Sequence, residues 1–248
     1  MFDFFLFLCF HIDTIPFELL EGNMKHIVKE RREVNEELIK KFVELESVMS
    51  ISCVVGDCLE RDGIMNSSMK MKSINKPFIG PAFTVKLSSG FLADCLEIFK
   101  YVKPGDVVVI DAFGDTETSV WGGLMAGLAK NAGVRGAVIW GSVRDTDEAR
   151  FLEFPLVSKS VTPRGAHSPF TQIFEPIELN TTISCGGVVV NPGDIVVADE
   201  IGVTVVPYDQ AEEIYAKAAK QAKDEEGARN EILKGATVAE LLSKFDRI

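Results

Sequence analysis

Histidine is scarce in this sequence, which has only three, His11, His26 and His167. A Ser-His-Asp or Cys-His nucleophile is therefore poorly supplied, and neither an HExxH motif nor a histidine-rich metal site occurs. The five cysteines form no CxxC pair and show no paired metal-ligand spacing. Their odd number, together with the lack of a recognisable secretory signal, predicts reduced thiols in a cytoplasmic protein.

Phosphate-binding signatures are also missing. No GxxxxGK[ST] sequence is present, which argues against a P-loop nucleotide site. The glycines of "GGLMAG" begin at Gly122, well after the apolar run that ends at Ala112, whereas the dinucleotide fingerprint requires them directly after a strand. The next apolar run ends in Trp140 and Gly141 and not in an acidic ribose ligand. We therefore exclude a Rossmann cofactor site.

Basic residues are fewer than acidic ones: the sequence has 26 Lys and Arg residues and 37 Asp and Glu residues, which gives a net charge of -11. So acidic a chain is a poor match for a phosphate backbone, and we expect no direct nucleic-acid partner. The apolar opening "MFDFFLFLCF" is far short of the roughly 20 residues that span a bilayer, which predicts no membrane partner. The hydrophobic fraction of 46% is ample for the core of one large domain.

The segment "EGNMKHIVKERREVNEELIKKFVELE" has the form of a normal protein start at Met24. Codons for Glu21 and Gly22 would place a purine-rich stretch just upstream of Met24, as a bacterial ribosome-binding site does. We therefore hypothesise that residues 1–23 are a mis-called start or a disordered extension, and that residues 24–248 form a single domain.

Hydrophobic periodicity predicts alternating helices and strands in the first two thirds of that domain. Helices are predicted at 27–48, 92–102, 122–133 and 146–153, with a further short helix in 57–77. Strands are predicted at 51–55, 78–87, 107–112, 136–143 and 155–161. Gly80 and Pro81 interrupt the second of these strands, which predicts an edge strand or a bent one.

The remainder of the chain changes character. Residues 175–207 are β-branched and turn-rich, and they precede a long charged helix at 208–235 and a short one at 237–245. "KPGDVVVIDAFG" at 103–114 echoes "NPGDIVVADEIG" at 191–202, which predicts two similar turn-into-strand units in one sheet system. The overall prediction is an α/β domain with an all-β portion late in the chain.

A glycine-rich helix start and an Arg-Asp pair are the features that carry chemistry. The predicted helix begins near Gly122 or Gly123, and the unpaired N–H groups of its first turn can bind an anion. Arg144 and Asp145 follow the next strand, and strand ends and helix starts share one rim of an α/β sheet. Arg144 can hold a carboxylate, and Asp145 can supply one oxygen to Mg²⁺, which otherwise keeps waters and substrate oxygens.

The pair also has a structural interpretation, because Asp145 can simply cap the helix predicted at 146–153. Arg-Asp neighbours at a strand end are also commonly surface ion pairs. Spacing alone does not decide between these interpretations and a ligand site.

The segments "GPAFTVKL", "KPGDVVVIDAFGD", "WGGLMAGLAKNAGVRGAVIWGSVRDTDEA" and "NPGDIVVADEIGVTVVP" occur in this order. They resemble the RraA-like family, which includes 4-hydroxy-4-methyl-2-oxoglutarate aldolases and regulators of ribonuclease E activity. The resemblance runs from about residue 50 to residue 207. It implies a three-layer β/β/α swivelling (phosphohistidine-domain-like) fold with flanking N- and C-terminal helices, assembled as a homotrimer or hexamer.

The resemblance also implies residue roles. Arg144 would hold the substrate carboxylate, Asp145 would bind Mg²⁺ or another divalent metal such as Mn²⁺, and the backbone after Gly122 and Gly123 would complete the pocket. Those backbone amides belong to Leu124 and Met125. The aldolases carry an acidic residue where this chain has Gly123, which puts cleavage of their usual substrate in doubt. Asp115 or Glu117 could take its place, although ordinary loop and helix-start roles are more expected for them. Asp199 and Glu200 could reach a neighbouring subunit's site, although a plain turn role is at least as expected.

The predicted function is a metal-dependent lyase acting on a small 2-oxo acid, as a 4-hydroxy-2-oxo acid aldolase, an oxaloacetate decarboxylase, or both. Both reactions pass through the enolate of pyruvate, which an arginine and a metal ion stabilise. A Schiff-base mechanism on Lys86 is a rival within enzymes, although a strand lysine that points to solvent is the simpler interpretation. A rival outside enzymes is a non-catalytic regulator that binds a ribonuclease.

Overall fold

A computed structural model describes residues 26–87, 95–166 and 175–245. The strands are β1 (Ile27–Val28), β2 (Lys70–Met71), β3 (Phe78–Lys86), β4 (Val107–Asp111), β5 (Ser119–Trp121), β6 (Gly136–Val143), β7 (Leu156–Val161), β8 (Glu178–Leu179), β9 (Ile183–Cys185), β10 (Val188–Val190), β11 (Ile195–Ala198) and β12 (Val203–Val206). The helices are α1 (Glu36–Glu44), α2 (Ile51–Cys58), α3 (Gly123–Asn131), α4 (Thr146–Phe151), α5 (Ala211–Leu233) and α6 (Val238–Phe245). Short 3₁₀ helices lie at Leu45–Ser47, Cys95–Lys100 and Tyr208–Gln210. The predicted start at Met24 lies outside the described residues.

The strand β3 joins two parts of the sheet. Its second half pairs in parallel with β4, and its first half pairs antiparallel with β11. Pro81, which has no N–H to donate, is the last residue paired with β11, and Ala82 begins the pairing with β4. The proline thus lies where the strand changes partner. Of the two predicted alternatives, an edge strand or a bent one, the edge strand is wrong, because β3 has neighbours on both sides.

The core has three parts that follow the two-residue alternation of the strands. On β4, Val108 and Ile110 face the cluster under α3 and α4, whereas Val107 and Val109 face a cluster formed with β9 to β12. A third cluster lies between β11, β12 and the helices α1, α2 and α5. This is the predicted β/β/α arrangement with flanking terminal helices, and the α/β fold class is confirmed.

The repeated sequence forms two similar turns. Asp106 and Asp194 are both buried, and each accepts a hydrogen bond from the backbone three residues earlier, from Lys103 N at 2.7 Å and Asn191 N at 2.8 Å. The strands that follow, β4 and β11, both pair with β3. The repeat therefore forms two similar turns, each leading into a strand of the same sheet system, as its sequence predicted.

Four predicted elements differ from the structure. The short helix predicted in 57–77 is absent, because the residues after the end of α2 at Cys58 form turns and the strand β2. The segment 51–55 is not a strand but the start of α2, because Ile51, Val54 and Val55 are buried together at helical spacing. The helix predicted at 27–48 is shorter and begins after Asn35, whose side chain accepts from the N–H groups of Glu37 and Leu38. The described part of the helix predicted at 92–102 is a 3₁₀ helix.

The Asp111 carboxyl group gives the fold a pH dependence. It is buried at the end of β4, and burial raises its pKa above the ordinary value. Its folded pKa is above its unfolded pKa near 4, so its stabilising contribution is complete below about pH 4 and is lost as the pH rises through the folded pKa. We expect the melting temperature of Asp111→Asn, relative to wild type, to rise between about pH 4 and pH 7 in thermal unfolding followed by circular dichroism. Asp62→Asn, at an exposed position, should show no such trend, and parallel curves for wild type and Asp111→Asn would contradict the prediction.

Two further observations concern membrane-spanning helices and disulfide bonds. No helix in the described residues combines the length and apolarity that crossing a membrane requires. The described cysteines, Cys53, Cys58, Cys95 and Cys185, form no disulfide bond.

Candidate active site

The ends of β5 and β6 bring the two predicted features together. These strands are parallel neighbours, and Trp121 is paired with Val143. Each strand passes at once into the start of a helix, α3 after Trp121 and α4 after the Arg144-Asp145 pair. The Arg144 N–H donates to the Trp121 carbonyl at 2.9 Å, which holds the two chain segments side by side. The strand β5 was not predicted, and it is the element that places Gly122 beside Arg144.

Asp145 has an unusual backbone conformation. Its φ of 50° lies in the left-handed region, which a non-glycine residue adopts at a cost of about 1 kcal/mol or more. It occupies the N-cap position of α4, yet its side chain makes no capping hydrogen bond there. Its Oδ2 atom instead accepts from the Gly123 N–H, at 3.3 Å, and lies 3.4 Å from Arg144 Nε. The alternative in which Asp145 only caps its own helix does not describe this structure.

The two glycines at the start of α3 permit this close approach. A Cβ atom on Gly122 would lie 2.7 Å from Asp145 Oδ2 and 3.2 Å from Arg144 Nε. A Cβ atom on Gly123 would overlap the carboxylate of Glu148. Neither glycine has a positive φ, so the requirement is for space and not for backbone freedom.

Leu124 and Met125 contribute backbone rather than side chains. They occupy the first turn of α3, where N–H groups have no carbonyl one turn earlier to accept from them. The Leu124 side chain is 73% exposed and points away from the core, whereas Met125 packs partly against the cluster under α3. Both amides therefore lie at the positive end of the helix dipole, close to Arg144 and Asp145.

Arg144 and Asp145 form the surface ion pair that the sequence left open, and this pair contributes little to stability. The two side chains are 46% and 43% exposed, and exposed ion pairs contribute about 0–1 kcal/mol. The ion-pair contact uses Nε of Arg144. The two terminal nitrogens have no acceptor among the described residues, which leaves them open to a ligand. The assignment of Arg144 and Asp145 to a ligand site stays a prediction.

The remaining predicted candidates form hydrogen bonds or ion pairs away from Arg144 and Asp145. Asp199 is buried and accepts hydrogen bonds from Ser52, Ile201 and Gly202. Asp115 accepts from the Glu117 N–H in its own loop, at 2.9 Å. The contacts with Ile201, Gly202 and Glu117 are those of turn and loop carboxylates, whereas the contact with Ser52 joins Asp199 to the start of α2.

Lys86 and Glu200 also have partners of their own. Lys86, which is part-exposed, forms an ion pair of 3.2 Å with Glu178. Glu200 accepts from the Asn75 side chain at 3.3 Å. Neither contact is with Arg144 or Asp145.

The side chains at the candidate site can be compared with the ligands that a divalent cation requires. No cluster of three or more His, Cys, Asp or Glu side chains suited to a metal occurs in the described parts of the chain. Asp145 and Glu148, however, both direct carboxylates to the start of α3. One or two carboxylates completed by water suit Mg²⁺ or Mn²⁺, so the residues fit such an ion. Glu148 was missed in the sequence, although it lies three residues after Asp145 and hence on the same side of α4.

Comparisons with known proteins establish the family of this chain. A model of the RraA-like family, described as Aldolase/RraA, matches residues 52–205. A Halalkalibacterium halodurans protein named as a putative 4-hydroxy-4-methyl-2-oxoglutarate aldolase is 35% identical over 193 residues, which are 76% of this chain and 90% of that protein. A Streptomyces coelicolor structure, described as an unusual member of the RNase ES inhibitor RraA protein family, aligns with a TM-score of 0.66 and 27% identity over 80% of this chain and 100% of its own.

A second solved structure supports the fold alone. An uncharacterized protein from Pseudomonas syringae pv. tomato aligns with a TM-score of 0.72 and 22% identity, over 88% of this chain and 98% of its own. Together, the family match over residues 52–205 and the relatives that cover most of the sequence identify this chain as a member of the RraA-like family.

Proposed function

We propose that this protein is a divalent-metal-dependent carbon-carbon lyase that acts on a small 2-oxo acid. The observation that carries the proposal is the conformation of Asp145, whose carboxylate is turned from its own helix to the start of α3, next to Arg144. A carboxylate, a guanidinium and free backbone N–H groups then meet at one rim of the sheet. These are the groups that a 2-oxo acid and a cation would contact together.

Arg144 and the start of α3 would orient the substrate. The terminal nitrogens of a guanidinium match the two oxygens of a carboxylate, which fixes the direction of the substrate. The N–H groups of Leu124 and Met125 would receive the same carboxylate or the adjacent keto oxygen at the positive end of the helix. Because the helix and the strand end are rigid elements, this orientation is present before the substrate arrives.

Asp145, assisted by water, would hold Mg²⁺ or Mn²⁺ in this site. The bound cation supplies Lewis-acid polarisation of the keto group of the substrate. Arg144 would remain on the carboxylate while negative charge develops on the enolate.

The substrate class includes 4-hydroxy-2-oxo acids and oxaloacetate, because cleavage of either yields the enolate of pyruvate. The name of the Halalkalibacterium halodurans relative favours 4-hydroxy-4-methyl-2-oxoglutarate among them. Glycine at position 123 places no acidic side chain there, so oxaloacetate should be tested with equal weight. We further propose assembly as a homotrimer or hexamer.

The test is an assay of pyruvate release from both substrates with Mg²⁺, with Mn²⁺ and with EDTA. We expect turnover with at least one substrate, loss of turnover in EDTA, and recovery when the metal is restored. Metal-independent turnover, or no turnover of any 4-hydroxy-2-oxo acid or oxaloacetate, would overturn the proposal. Borohydride reduction in the presence of pyruvate should leave Lys86 unmodified, whereas an adduct there would favour the Schiff-base mechanism.

A second candidate function is the binding and inhibition of a ribonuclease, which the description of the Streptomyces coelicolor structure favours. The net charge of -11 would suit a basic partner surface. Pull-down with an RNase E-type nuclease, repeated with Arg144→Ala, separates this function from the lyase. Regulation that survives the substitution does not need the candidate active site.

A further inference from the structure

Glu148 lies over the start of α3, although it belongs to α4. A Cβ atom built on Gly123 would overlap the Glu148 carboxylate and would lie 2.8 Å from Glu148 Cγ. The Glu148 side chain therefore occupies the space into which any side chain at position 123 would extend. Glycine at position 123 and the present position of Glu148 depend on each other.

The Glu148 carboxylate has no protein partner in this position. Within the described residues it accepts no hydrogen bond and forms no ion pair, even though it is partly buried between α3 and α4. At this position, over Gly123, the carboxylate is available to an added ligand. The nearby start of α3 compensates for only part of a charge.

The charges around the rim are unbalanced in the absence of a cation. Asp145 and Glu148 each place a carboxylate at the start of α3, and a bound 2-oxo acid would add a third. Arg144 and the helix start together supply about one and a half positive charges. A divalent cation between the carboxylates and the substrate brings the site close to neutrality, whereas the substrate alone would be repelled.

We infer that Glu148 is a second carboxylate that holds the divalent cation together with Asp145, either directly or through a bound water. This inference rests on the function proposed above and adds a residue to its site. Asp145 approaches from the end of β6 and Glu148 from one turn further along α4, so the cation would lie between them and the first turn of α3. Gly123 is the residue that leaves room for this arrangement.

The first experiment measures Mn²⁺ binding to the full chain by electron paramagnetic resonance and by calorimetry, without substrate. Glu148→Gln keeps the size of the side chain and removes its charge, and we expect Mn²⁺ affinity to fall by about 10-fold. The control is Asp147→Asn, which removes the same charge from an exposed neighbour on α4 that does not share the face of Glu148. Equal affinities for Glu148→Gln and wild type would overturn the inference, and so would equal losses in the two variants.

The second experiment uses the steric link between positions 123 and 148. Gly123→Ala should displace the Glu148 carboxylate and weaken Mn²⁺ binding to a similar extent, while the α3 helix itself gains a better helix former. In the double variant Gly123→Ala/Glu148→Gln, the affinity should be no lower than in either single variant, because both remove the same interaction. Fully additive losses would show that the two positions act separately, which overturns the inference.

The outcomes also separate this inference from the proposed function. If Asp145→Asn loses Mn²⁺ affinity and Glu148→Gln retains it, the inference about Glu148 fails and the metal-dependent lyase stands. If the wild-type chain binds no Mn²⁺ or Mg²⁺ at millimolar concentration, both fail. Circular dichroism of each variant shows that altered binding does not come from unfolding.

Discussion

Arg144→Ala is expected to lower kcat/KM for the preferred 2-oxo acid by about 10²-fold, mainly through an increase in KM. Hydrogen bonds to charged groups contribute about 1.5–3 kcal/mol, and each 1.4 kcal/mol is a factor of ten. The substrate carboxylate keeps its charge during the reaction, so the contact is similar in the ground state and the transition state. An interaction of that kind affects KM more than kcat.

The comparison variants for Arg144→Ala are Arg144→Lys and Arg150→Ala. Lysine keeps the charge but not the paired nitrogens, so it should recover only part of the loss. Arg150, exposed on the same short helix, donates to the Ser73 carbonyl at 3.2 Å and takes no part in the proposed site. Steady-state kinetics on the three variants show whether the loss comes from the contact of Arg144 with the substrate. A loss in Arg150→Ala as large as that in Arg144→Ala would mean that the effect comes from the helix and not from substrate binding.

Trp121→Ala is expected to lower the free energy of unfolding by about 3–5 kcal/mol, the range for removal of a large buried aromatic side chain. Trp121 is 1% exposed, its ring stacks on Phe154 at 6.1 Å between centroids, and Phe99 lies 6.4 Å away. Its backbone carbonyl accepts from Arg144 N–H, so the same residue supports both the core and the candidate site. The site should therefore lose rigidity together with the fold.

The only other tryptophan provides the matched control for this prediction. Trp140 is partly exposed, and Lys159 Nζ lies 4.7 Å from its ring centroid, so Trp140→Ala should cost clearly less. Urea unfolding followed by circular dichroism gives both free energies, and the slope m shows whether the transition is still two-state. A loss in Trp140→Ala equal to or larger than that in Trp121→Ala would contradict the importance assigned to the buried ring.

Much of the helix and strand content could be predicted because it depends on local pattern. The β-branched runs of β4 and β6 are buried on both faces, and such strands appear in a sequence as continuous apolar segments. The long helix α5 follows from its charged and alanine-rich composition. The turns at Asp106 and Asp194 were visible as a repeated Pro-Gly-Asp sequence, since proline, glycine and aspartate favour turns for separate physical reasons.

Other elements depend on contacts that no local pattern contains. The segment 51–55 has high strand propensity, yet it begins α2. Asp199 accepts from Ser52 N at 2.9 Å and Ser52 Oγ at 2.7 Å, across 147 residues of sequence. The helix is thus capped by a distant loop, while the adjacent Ser50 makes no capping bond. Tertiary context overrides strand propensity in such cases.

For the candidate site, the sequence by itself determined the residue types: an Arg-Asp pair after a buried strand, and a helix that starts with two glycines. It also argued against a P-loop, a histidine-based nucleophile and a cysteine metal site. Only the tertiary structure decided how these groups meet. The short strand β5 places Trp121 beside Val143, the left-handed backbone of Asp145 turns its carboxylate to the Gly123 N–H, and α4 carries Glu148 over Gly123. The physical reason is that residue type and spacing are local properties, whereas the approach of two strand ends and the space over a glycine are fixed by packing between distant segments.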